Sequence, residues 1–159
     1  MTPGRPRASV VGLLAGLPAS QLSRLQSVLH AAARLIYGVH RYDHITPLLQ
    51  QLHWLSVPER LTFKLCIMVY RCLHGIGPEY FSEDFRLVSE IYSRQRLRSP
   101  YSTDVVVPAT RRSSLGNRAL PVAGARAWNA LPAGVISAPS LSSFRRLLKT
   151  FLFQRQRRQ

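Results

Sequence analysis

The chain has 159 residues, 46% of them hydrophobic, and a formal net charge of +15. That much apolar material suits one domain with a real core and excludes wholesale disorder. Acidic residues number only seven, and of these only Glu83 and Asp84 are adjacent, which argues against the clustered carboxylates that a polymerase or nuclease uses to hold metal.

Residues 1–18 read as a lead-in. Arg5 and Arg7 followed by the apolar run Ala8 to Leu17 imitate a secretory signal. No Ala-x-Ala cleavage site follows, and Gly12 and Gly16 break the run, so an intracellular protein, nuclear or cytoplasmic, is expected. A helix is predicted from Ser20 to Tyr37, with Leu22, Leu25, Leu29, Ala32 and Ile36 as a narrow seam and Gly38 as its stop. Two heptads are too few for a coiled coil, so the seam reads as a packing face. After the polar connector Arg41 to His44, Thr46 and Pro47 mark the start of a short helix.

The most apolar long stretch is SVPERLTFKLCIMVYRCLHG, residues 56–75. Ser56 and Glu59 have capping-box spacing, Pro58 fits a first turn and Gly75 a C-terminal stop. Val57, Leu61, Leu65, Met68 and Cys72 form one apolar row; Phe63, Ile67, Tyr70 and Leu73 form another. Two rows predict packing from at least two directions. Arg60, Lys64 and Arg71 interrupt the run, which argues against a membrane span. Beyond Gly75, GIGPEYFSEDF reads as a turn and a short helical piece anchored by Tyr80, Phe81 and Phe85.

From Leu87 the character changes. Residues 1–90 hold nine Lys/Arg and six Asp/Glu, whereas residues 91–159 hold thirteen and one. Such a half is an electrostatic footprint for polyanions. Arg accounts for most of it, as GC-rich coding also produces. Arg94, Arg96, Arg98, Arg111, Arg112 and Arg118 fall in an aperiodic stretch with Tyr92 and Tyr101 as candidate stacking platforms or packing anchors. Asp104 to Val107 is a short strand candidate stopped by Pro108, with Tyr92 to Leu97 as a weak partner. LPVAGARAWNAL reads as a helical turn or two anchored by Trp128. Ser140 caps a last helix whose Phe144, Leu147, Leu148, Phe151 and Leu152 form an amphipathic stripe. That stripe suits a core helix, with a membrane surface or a partner's groove as alternatives. Arg145, Arg146 and Lys149 lie off the stripe, and Arg155, Arg157 and Arg158 make a basic tail.

Other chemistry finds little support. His40 and His44 have ligand spacing but fall in a predicted loop, and Cys72 and His74 lack a second pair. Cys66 and Cys72 read as core thiols, and GIG before Pro78 is a turn rather than a phosphate loop. No cofactor is expected.

The runs GLPASQLSRLQSVLHAAARLIYG, RYDHITPLLQQLHWLSVPERLTFKLCIMVYRCLHGIGPEYF, LRSP, VVPATRR, LGNRALPVAGARAWNALP and SLSSFRRLLKTFLF occur in this order. Together they closely resemble the C-terminal, post-palm region of LINE-type (non-LTR) retrotransposon reverse transcriptases of the chicken-repeat and jockey-like groups. The resemblance covers Leu13 to Phe153; Met1 to Val10 do not match, and His30 stands where the family usually has Asn. The family's endonuclease and its pair of metal-binding Asp have no counterpart here. The resemblance therefore implies a catalytically inactive fragment that supports a polymerase and contacts RNA or target DNA.

The expected fold is mainly α, of packed helices with an Arg-rich irregular region and at most a short β element. Its expected parts are residues 1–18 as lead-in, 19–90 as helical core, 91–153 as basic loop region plus C-terminal helices, and 154–159 as basic tail. Expected partners are RNA or DNA bound without sequence specificity, and a reverse transcriptase core in trans. The competing functional readings are a host protein-interaction module docking through a helix seam, and a fossil reading frame with no selected role.

Overall fold

The computed structural model describes residues 17–90, 103–109 and 119–158. Its helices are α1 (Ala19–Tyr37), α2 (Ile45–Gln51), α3 (Val57–Leu73), α4 (Glu79–Ser82), α5 (Leu120–Asn129), α6 (Ala133–Ile136) and α7 (Leu141–Arg157), with a 3-10 turn at Val88–Glu90. The mainly α fold class holds, and among the described residues the only β pairing is an isolated antiparallel bridge between Leu87 and Val105.

Helix α3 is the hub, with α5 and α7 packed against it most extensively and α1 and α4 also in contact. Its deepest side chains are Cys66, Val69 and Tyr70. Neither predicted row contained Cys66 or Val69. Val57, Phe63, Ile67, Met68 and Leu73 are only partly covered, because the tightest contacts fall between the two rows, where α5 and α7 meet. At that meeting point the rings of Tyr70 and Phe144 stack with centroids 4.5 Å apart, and Trp128 lies 5.6 Å from Phe144. Tyr70 donates its buried hydroxyl proton to the Ala138 carbonyl at 3.2 Å, so the polar end of the ring is satisfied. Residue 90 is therefore a boundary of charge and not of packing: Trp128, Phe144, Leu148 and Leu152 from the basic half complete the core begun by Leu55, Cys66 and Val69.

Close approach of α5 to α3 depends on Gly124. A Cβ there would stand 2.9 Å from Phe85 Cε1 and 3.1 Å from Val69 Cγ2.

Three helices end in the same way. The chain passes through the left-handed region at Gly38 (φ 60), His53 (φ 53) and Gly75 (φ 66). The amides that follow return to carbonyls of the last turn, as in Val39 N to Arg34 O, Trp54 N to Leu49 O and Ile76 N to Arg71 O. These are Schellman closures, which satisfy otherwise orphaned carbonyls. His53 takes this conformation despite its Cβ, which costs roughly 1–2 kcal/mol.

The helix starts depart from expectation. Helix α2 begins at Ile45, one residue before the predicted cap Thr46. Ser56 does precede α3, yet its hydroxyl donates to the Glu59 carboxylate instead of accepting a backbone N–H. The free amides are capped by glutamines from other helices: Ser56 N–H donates to Gln156 Oε1 (2.9 Å) and Val57 N–H to Gln26 Oε1 (2.7 Å). Gln26 also contacts His30 Nε2 at 2.6 Å, and burial together with the Arg34 charge lowers the His30 pKa, favouring the neutral ring. Ser140 caps α7 as predicted, accepting from the Ser143 N–H.

The strand candidate pairs with residues 86–88; the weak partner Tyr92 to Leu97 lies outside the described residues. Val88 N–H donates to Asp104 O (2.8 Å) and Val106 N–H to Arg86 O (2.9 Å). From the other side, Asn129 exchanges two hydrogen bonds with Val105, and Trp128 Nε1–H donates to Thr103 O at 3.0 Å. The adjacent Trp128 and Asn129 thus pin residues 103–105 onto the end of α5. Phe85 is buried, and the Tyr80 side chain lies outside the described residues.

Candidate nucleic-acid interface

Residues 119–158 contain seven Lys/Arg and no acid, and most of that charge is on α7. The helix buries one stripe completely: Phe144, Leu148 and Leu152 have 0% exposure. Phe151 is half-buried and Leu147 is exposed, so the stripe is narrower than predicted. Burial against α3 and α6 gives α7 the role of a core helix with one open side.

The open side carries the candidate site. Arg146, Lys149, Phe153 and Arg157 follow at intervals of three, four and four, which aligns them in one row along the helix. Arg145 flanks the row and Arg158 follows the helix, and all five cations are exposed. Phe153 is half-buried among them. The Lys149 ammonium lies 5.7 Å from the centre of its ring, and the His53 ring meets it edge-on at 6.3 Å. The left-handed turn at His53 brings that imidazole from the end of α2 to the end of α7. Cations at one-turn spacing can follow a phosphate backbone, and an aromatic between them offers a face to a base.

Arg155 departs from the expected role. Its Nη2 lies 3.3 Å from Oε1 of Glu59, a carboxylate with only 2% exposure. With Gln156 on the Ser56 amide, it fastens the last turns of α7 to the start of α3. The basic tail expected at residues 154–159 continues the helix as far as Arg157. A buried carboxylate requires a partner, and Arg155 is that partner. Arg94, Arg96, Arg98, Arg111, Arg112 and Arg118, with Tyr92 and Tyr101, lie outside the described residues.

Sequence reading missed Phe153 and His53 as members of the site. The three-four-four spacing of Arg146, Lys149, Phe153 and Arg157 was the available signal for the first. Nothing local to the sequence around His53 signals its placement, because that depends on the left-handed turn after α2 meeting Phe153 of α7.

Neither cysteine offers a nucleophile. Burial pushes the Cys66 thiol up to about 12 and raises Cys72 as well, with Asp84 adding to the rise at Cys72 and Arg71 opposing it. A rise at Cys66 from 9.0 to about 12 lowers its thiolate fraction about a thousandfold. Iodoacetamide should therefore leave Cys66 unmodified in the folded protein at pH 8, while modifying it readily in 6 M guanidinium. Equal rates in the two conditions would contradict its burial.

Among the described residues, no group of three or more His, Cys, Asp or Glu is placed to hold a metal ion. Nor is any described helix long and apolar enough to cross a membrane. No protein-family model matches the chain, and neither the curated proteins nor the solved structures yield a match.

Proposed function

We propose that this chain is a catalytically silent C-terminal part of a LINE-type retrotransposon reverse transcriptase, and that it binds RNA or DNA without sequence specificity through phosphate contacts. The ordered motifs from Leu13 to Phe153 support the first half of this reading. One observation carries the second: the open row Arg146, Lys149, Phe153, Arg157 on a helix whose opposite side is locked into the core. Arg is suited to the task, since its planar fork pairs with phosphate oxygens and stacks on bases. A reverse transcriptase core in trans is the proposed protein partner. Catalysis would belong to that core.

The test uses the triple variant Arg146→Gln/Lys149→Gln/Arg157→Gln. All three side chains are exposed, so stability should change little. On a fluorescent 20-nucleotide RNA, the variant should lose tenfold or more in affinity at low salt. Its slope of log K against log salt should become shallower by about 2, given roughly 0.7 per phosphate contact on a single strand. An unchanged slope would remove α7 from the interface.

A further inference from the structure

The large apolar side chains left exposed concentrate on α1. Val28 is 69% exposed, Leu35 84% and Ile36 57%, with Leu25 and Tyr37 also open. Inward, α1 uses a different set: Ala33 is buried, and Gln26 and His30 make their contacts there. The predicted seam of Leu22, Leu25, Leu29, Ala32 and Ile36 thus straddles two faces, and its outer part has no covering element among the described residues. Leu25, Val28, Ala32 and Leu35 recur at intervals of three, four and three, the spacing of a face made for another helix.

This face leads into a groove. Leu25, Val28, Leu29 and Ala32 form one side; Trp54, Val57 and Arg60 from the α2–α3 corner form the other, of an open, shallow groove of about 470 Å3. Arg60 stacks over Trp54 at 5.5 Å and donates Nε–H to the Leu55 carbonyl at 2.9 Å, which fixes the guanidinium at the rim. Arg24 is exposed on α1 as well, and α1 contains no Asp or Glu.

We propose that this groove docks an amphipathic helix of another protein whose apolar edge is flanked by carboxylates. Helix-in-groove recognition needs an apolar channel with anchors at i, i+3 and i+7, and the channel is present. Charge complementarity selects the occupant: a rim carrying Arg60, beside a helix α1 that has exposed Arg24 and no acid, favours Glu or Asp on the incoming helix. A second copy of this chain is disfavoured by the same charges, since pairing α1 with α1 sets Arg against Arg. The proposal does not depend on nucleic-acid binding, because groove and basic row share no residue.

The experiment compares two fluorescein-labelled 16-residue helical peptides on the full chain. Both carry Leu at i, i+3, i+7 and i+10; one has Glu on its flanks and the other Lys. The Glu peptide should bind at least tenfold more tightly than the Lys peptide. Because the whole chain is basic, that difference alone proves little, so a neutral change is the decisive arm. Leu25→Gln/Val28→Gln removes apolar surface at exposed positions without altering charge, and should weaken the Glu peptide tenfold or more. The variant Arg146→Gln/Lys149→Gln/Arg157→Gln should bind it within threefold of the parent. Loss of binding in that variant, unchanged binding in Leu25→Gln/Val28→Gln, or no binding of the Glu peptide would each overturn the proposal. So would uptake of the chain onto phosphatidylserine vesicles through Leu25 and Val28 in preference to the Glu peptide.

Discussion

Replacing Arg155 by Met should destabilise the fold by about 3 kcal/mol, the lower end of what removal of one partner from a buried ion pair costs. The carboxylate left behind, Glu59, is only 2% exposed and keeps just the Ser56 hydroxyl as a neutral partner. The lower end applies because a third of the Arg155 side chain remains in water. In a chain of this size that loss lowers Tm by roughly 6–12 °C. The double variant Glu59→Gln/Arg155→Met should recover much of the loss, because no uncompensated charge is then buried. Chemical denaturation of the wild type, both singles and the double gives the coupling directly. A single-variant loss below about 1 kcal/mol would mean that the pair does not fasten α7 to α3.

The second large effect concerns Trp128. Its side chain is 2% exposed, stacks near Phe144 and donates to the Thr103 carbonyl. Trp128→Ala should cost about 3–5 kcal/mol through the cavity and the lost contacts. Trp128→Phe keeps an aromatic there and should cost less, about 1–2 kcal/mol, part of it from the orphaned Thr103 carbonyl. The two variants should also differ at residues 103–105. Amide exchange there should accelerate strongly in Trp128→Ala and modestly in Trp128→Phe, whose ring still fills the core beneath residues 103–105 and supports Asn129 on Val105. Similar stability of Trp128→Ala and the parent would contradict the placement of this ring at the meeting of α3, α5 and α7.

What the sequence made legible was local. Helix stops at Gly38 and Gly75, the cap at Ser140 and the burial of Trp128 all follow from short-range rules, because glycine's left-handed freedom and a serine hydroxyl act within a few residues. What it hid was supplied from afar. The amides at the start of α3 are capped by Gln26 and Gln156, which are 31 and 100 residues away from their partners. A spacing rule that sees only Ser56 and Glu59 assigns that task to the wrong pair. Arg155 looked like a tail cation because its partner lies 96 residues earlier. The α1 seam was misassigned because Ala33, small enough to let another helix approach, carries less hydrophobic signal than the exposed Leu25 and Ile36. In the candidate site, Arg145, Arg146, Lys149, Arg157 and Arg158 were legible as off-stripe cations. Phe153 was legible in principle from its spacing, whereas His53 depended on a left-handed residue at the end of another helix.

The groove on α1 and the basic row on α7 give the chain two surfaces of different chemistry, one apolar with a cationic rim and one cationic with an aromatic centre. Neither surface includes the polar cluster of Ser56, Glu59, Arg155 and Gln156 that holds α7 onto α3. A change on either surface should therefore leave the fold intact, whereas a change in that cluster should loosen the helix that displays the row.

The central claim, that the basic half binds nucleic acid through phosphates and without sequence preference, is tested most directly by the salt dependence of binding. The wild-type chain would be titrated into poly(U), poly(A) and mixed-sequence 20-mers from 50 to 300 mM salt. The account predicts steep linear loss of log K with log salt and closely similar slopes for all three, since each neutralised phosphate contributes equally whatever base it carries. Salt-independent binding, or no binding at 50 mM salt, would contradict it.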